Sequence, residues 1–129
     1  RVSLETDIAT SVPSNCFGIG GAPGESVYAK LGVSAYEPKN IDDNGMYRLN
    51  IDIGQQSTSG SDGETVGDIA NGRDCALTEE FVMKSFSTKR EFDLVTNQNG
   101  KFWVIAGTDS GFEGVTDIYF NKLVIKISK

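Results

Sequence analysis

The chain has 129 residues, 38% of them hydrophobic and 23% charged, which suits one domain with one core, since division into several begins at roughly 250 residues. The net charge of −6, with Lys and Arg scattered, excludes the basic footprint of a nucleic-acid partner and suits calcium, neutral sugars or plain solubility. The longest apolar stretches, such as Phe102-Trp103-Val104-Ile105-Ala106, fall far short of the ~18 residues of a membrane helix, so no membrane insertion is expected.

The chain opens on Arg1 rather than Met, and a processed product or a piece of something larger is expected. Cys16 and Cys75, if oxidised, close a loop of about 60 residues, worth ~4 kcal/mol in the chain-entropy model. Two buried free thiols are the alternative. Both features point to a secreted or extracellular setting.

Short alternating runs broken by Gly, Asn, Asp and Ser dominate the rest. Over 27–35, Val27, Ala29, Leu31, Val33 and Ala35 alternate with Tyr28, Lys30, Gly32 and Ser34, the period of a half-buried strand. Pro38 and Asp42-Asp43-Asn44-Gly45 give a turn. Over 46–53 a second strand sets Tyr47, Leu49, Ile51 and Ile53 against Met46, Arg48, Asn50 and Asp52. The polar stretch 54–74, with Val66 and Ile69 as its only anchors, is a binding loop or hides a short strand. Residues 81–86 read as a strand, with two helical turns over 77–84 as the alternative.

Phe92 and Leu94 share a face in 90–96, Asn97-Gln98-Asn99-Gly100 is a turn, and 101–107 is a strand followed by a glycine-rich loop over 108–114. In the last element, 115–128, Ile118 and Phe120 have one parity and Leu123, Ile125 and Ile127 the other. One buried face therefore requires a β-bulge near Asn121-Lys122. Strands of this size without a long amphipathic helix indicate an all-β fold, an antiparallel β-sandwich in a single domain over 1–129.

The chain contains no histidine, which removes the commonest general base, the Ser–His and Cys–His pairs and the usual zinc and copper ligands. Gly18-Ile19-Gly20-Gly21 lacks the Lys and helix of a phosphate loop and reads as a turn. Paired carboxylates are the one enzymatic route left, and no enzyme is expected. Calcium is compatible with three oxygen-rich clusters: Asp42, Asp43 and Asn44; Asp62, Glu64 and Asp68; and Asp109 with Glu113. For each of these, a solvated turn is the plainer reading.

A strand carrying Trp103, then Gly-Thr-Asp-Ser-Gly-Phe-Glu-Gly, then Thr-Asp-Ile-Tyr-Phe-Asn-Lys-Leu-Val-Ile, resembles the end of jelly-roll carbohydrate-binding modules. The resemblance covers the C-terminal third. It implies a jelly-roll sandwich closed by the last strand, with a structural calcium held by early acids, here Glu5 and Asp7, together with Asn121. Asn121 stands where an Asp is usual, keeping an oxygen ligand and losing its charge.

If Leu31, Val33, Leu49, Ile51, Phe102 and Val104 face the core, the opposite faces display Trp103, Tyr28, Tyr36, Arg48, Asn50 and Asp52. Rings to stack on pyranoses and polar groups to bond hydroxyls are what a sugar needs. The other register buries Trp103 and Ile105, and leaves Tyr28 and Tyr36 as edge residues and Arg48 with Asp52 as a surface ion pair. The expectation is a non-catalytic extracellular carbohydrate-binding module. Alternatives are a structural or adhesive domain that contacts other domains of a parent protein, and a carboxylate hydrolase or lyase.

Overall fold

Alternation carries the chain into extended structure from its second residue. In the computed structural model, which describes residues 1–75 and 80–129, strand β1 (Val2–Thr10) buries Val2, Leu4, Thr6, Ile8 and Thr10 and leaves the residues between them half-exposed. The following strands are β2 (Val27–Ser34), β3 (Asn40–Asp43), β4 (Met46–Leu49), β5 (Gly63–Asp68), β6 (Val82–Ser87), β7 (Trp103–Ser110) and β8 (Ile118–Ile127).

Two three-stranded antiparallel sheets, ordered β6-β1-β8 and β5-β2-β7, form a β-sandwich, and β3-β4 is a separate hairpin. The first strand pairs with the last and the second with the penultimate, the nested wrapping expected of a jelly-roll-type chain. Leu4 and Ile8 of one sheet and Val27, Ala29, Leu31 and Val33 of the other meet in the core, with Ile69, Phe86 and Phe92. Each such aliphatic or aromatic side chain, fully buried, contributes about 1.5–3 kcal/mol.

The required bulge is present. Asp7 pairs with Lys122 and the next residue, Ile8, with Phe120, so Asn121 is the extra residue. The slip brings Ile118 and Phe120 onto the same side as Leu123, Ile125 and Ile127, and the Thr6 hydroxyl donates to the Lys122 carbonyl beside it at 2.6 Å.

Other expectations shift. The strand expected over 46–53 stops at Leu49, because the Asn50 and Asp52 side chains bond neighbouring backbone and turn the chain. Residues 90–96 are irregular, held by reciprocal backbone bonds between Val2 and Phe92. The long polar stretch does hide a strand, β5, and Ile69 anchors it in the core. The helical alternative over 77–84 lies partly outside the described residues, and from Val82 onward the chain is β6.

Cys16 and Cys75 form a disulfide, flanked by a Ser14–Asp74 bridge and a bond from the Gly72 amide to the Ser14 hydroxyl at 2.9 Å. The bond fits an oxidising compartment. Among the described residues no helix is long and apolar enough to cross a membrane.

Candidate ligand-binding surface

The hairpin begins with its turn. Asn44 and Gly45 both have positive φ (54° and 87°), the pair of left-handed residues a type I′ turn requires, and Asp42 accepts the Gly45 amide at 2.8 Å. Every residue of β3 and β4 is exposed. Asn50 ties the base of the hairpin, accepting the Lys39 amide at 2.8 Å and donating to the Glu37 carbonyl at 3.0 Å. Ile51, buried, pins it to the body.

Asp52 closes the next turn. Its carboxylate accepts the amides of Ser61 (2.9 Å) and Gly54 (3.0 Å), and these donors hold its pKa below the usual carboxylate range. Asp62 takes the Asp52 amide at 2.7 Å and returns its own amide to the Asp52 carbonyl. Between hairpin and turn lies a cleft of about 370 Å³ lined by Ile41, Arg48, Leu49, Asn50, Ile51 and Asp52.

Trp103 pairs in register with Ser34 and points, with Ile105, away from the core that Val104 faces. It is half-buried. Ser34 accepts the Tyr36 amide at 3.0 Å, and the Val33 amide bonds the Asp62 carbonyl. Trp103, Tyr36, the hairpin base and the Asp52 turn therefore share one end of the β5-β2-β7 sheet. Tyr36 (76% exposed) and, on the hairpin, Tyr47 (75%) hold their rings in solvent.

Tyr28 is not part of this group. It sits six residues before Ser34, about 20 Å along the strand, and pairs with Asp68 and Asp109. The middle of this outer face is not open either, because residues 54–62 fold across it. Lys30, on the outer parity yet buried, donates to the Thr65 hydroxyl (2.5 Å) and the Thr58 carbonyl (2.9 Å), while Asp109 accepts the Gln56 amide (2.6 Å). Burial lowers the Lys30 pKa, and Asp109 and Asp52 oppose the shift.

Of the expected sugar contacts, Trp103, Tyr36, Arg48, Asn50 and Asp52 come to one end. The Asn50 and Asp52 side chains are committed to backbone groups, and Arg48 pairs loosely with Asp43 at 3.5 Å. Tyr47 shares the parity of Leu49 and Ile51 in the sequence, yet it is exposed. The Asn-Gly turn was the signal that a hairpin, free to stand off the sandwich, began there.

Glu5 and Asp7 lie on the outer face of β1. Glu5 accepts from Lys126 at 2.7 Å, Asp7 accepts the Ser85 hydroxyl at 2.6 Å, and Lys122 pairs opposite Asp7 beside exposed Asn121. Two lysines among these donors suit ion pairing and do not suit a calcium cage. Several of the other candidate acids have protein partners too: Asp43 has Arg48, Asp68 has Lys84, and Glu64 has the Lys89 and Arg90 amides. Among the described residues no three His, Cys, Asp or Glu side chains gather to hold a metal. No protein-family model matches the chain, and neither a curated protein nor a solved structure shows significant similarity to it.

Proposed function

We propose that this domain is a non-catalytic, extracellular carbohydrate-binding module whose ligand lies across the hairpin end of the β5-β2-β7 sheet. What supports the reading is that the elements at this end carry the solvent-held rings of Tyr36 and Tyr47 and the half-exposed Trp103, together with an open cleft that has Arg48 on its wall. Rings of this kind stack on the apolar faces of pyranoses, and Arg48 supplies donors for hydroxyls or an acidic sugar. Catalysis is disfavoured by the absence of histidine and by the use of Asp52 and Asp62 as acceptors for backbone amides. Because Glu5 and Asp7 face lysines, binding is expected to be unaffected by a chelator.

Glycan arrays and polysaccharide pull-downs test the reading. Tyr36→Ala and Tyr47→Ala should each weaken binding about tenfold, equivalent to ~1.4 kcal/mol, with unchanged melting temperature. Absence of binding across neutral and acidic glycans contradicts it. One observation favours the second reading, an adhesive domain: the apolar inner face of β8 is largely uncovered.

A further inference from the structure

Cross-strand pairs in an antiparallel sheet share a face, so the partners of core residues reveal what should be buried. On β8, Ile127, Ile125, Leu123 and Phe120 pair with Val2, Leu4, Thr6 and Ile8, all of which are buried. Yet these four residues are 66%, 43%, 42% and 46% exposed. On β7, Ala106, Thr108 and Ser110 pair with the core residues Leu31, Ala29 and Val27, and they too are exposed. Among the described residues β1 packs over β2 and β5 meets β6, with no comparable contact between β7 and β8. The sandwich is open along that flank.

Among the described residues no strand pairs with the outer edge of β8, so that edge carries free backbone groups. The Ser128 amide bonds the Arg1 carbonyl at 2.9 Å, and alternation from that pair directs the N–H and C=O of Leu123, Ile125 and Ile127 away from β1. Their side chains point inward. The outward residues next to them in the strand include Lys122 and Lys126, and residues 118–129 hold three lysines and no acid in a chain of net charge −6.

The occupied edge shows what such a strand accepts. β1 offers apolar or Thr side chains inward and Glu5 and Asp7 outward, with Glu5 on Lys126 and Asp7 opposite Lys122. We propose that the free edge of β8 binds an extended segment of a partner protein with this same alternation, apolar residues inward and acidic residues outward, added as a fourth strand. Its backbone completes the ladder at Leu123, Ile125 and Ile127, its apolar side chains extend the core over the open flank, and its acids meet the two lysines from the second side. This surface is separate from the hairpin end, and the inference does not rest on the carbohydrate reading.

A peptide copying residues 1–11 of this chain is the probe, added to the isotope-labelled full chain and followed by amide hydrogen exchange. Saturation should slow exchange at Leu123, Ile125 and Ile127 at least tenfold with β1 still protected. A peptide with the equivalents of Glu5 and Asp7 changed to Lys should bind at least tenfold more weakly. The proposal is overturned if these amides do not respond, if both peptides bind equally, if the peptide displaces β1, or if the amides are already protected in a self-associated dimer of the free chain.

Discussion

Among the described residues, Glu64 and Lys30 are the buried charged side chains. The Glu64 carboxylate accepts the Lys89 amide at 2.8 Å and the Arg90 amide at 3.2 Å, and the Arg90 guanidinium lies 3.9 Å away, reaching the Gly60 and Ser61 carbonyls and stacking 4.4 Å over Phe92. Removing the acid leaves two amides without their acceptor and the Arg90 cation without its counter-charge, so Glu64→Ala should cost about 3 kcal/mol in urea denaturation. Glu64→Gln, which keeps an acceptor, should cost less. Asp52 gives a pH signature instead. Its folded pKa lies below the unfolded value, so its stabilising contribution is present above pH ~3.9 and is lost as pH falls through the lower folded value. The stability gap between wild type and Asp52→Ala, read from melting curves, should therefore narrow as pH is lowered from 6 to 2.

At the level of elements, the bulge in β8 makes a sharp prediction. Deleting Asn121 keeps Ile118, Phe120, Leu123, Ile125 and Ile127 on one side and should leave the domain folded. Deleting Val124 turns Ile125 and Ile127 outward and should lower stability by about 1–2 kcal/mol, a modest cost because both are already 43% and 66% exposed. Gly45→Ala meets no atom within 4 Å, so its cost is torsional alone, about 1 kcal/mol, and should appear as faster amide exchange in β3 and β4. The bulge was legible in the sequence because a parity break within one apolar run has a single geometric remedy. The β2 strand was legible because five apolar residues alternate without interruption.

The limits of that legibility are physical as well. β1, whose buried positions include Thr6 and Thr10, carries a weaker apolar signal; the two hydroxyls instead bond the Lys122 and Ile69 carbonyls. Alternation places Lys30 outward, but only the tertiary path of 54–62 determines that a loop covers it. The strand over 46–53 failed for a local reason, since Asn50 and Asp52 bond nearby backbone and end the ladder. Five of the six expected sugar contacts lie at one end of a sheet, but residue type alone did not show that Asn50 and Asp52 were already engaged, or that Tyr28 lay far away.

For the molecule as a whole, the Cys16–Cys75 bond spans a separation of 59 residues and fastens the loop before β2 to the segment after β5. Reduction should lower unfolding free energy by about 4 kcal/mol in the chain-entropy model, measured by denaturation with and without dithiothreitol. The proposed ligand surface lies at the other end of the sandwich, and the chain carries its own reporter there, since Trp103 is the single tryptophan. Titration of the protein with the glycan or polysaccharide it retains, followed by tryptophan emission, is the most direct test. A saturable blue shift or intensity change, lost in Tyr36→Ala, is the predicted result. Binding that leaves the emission unchanged, or no binding to any glycan, contradicts the account.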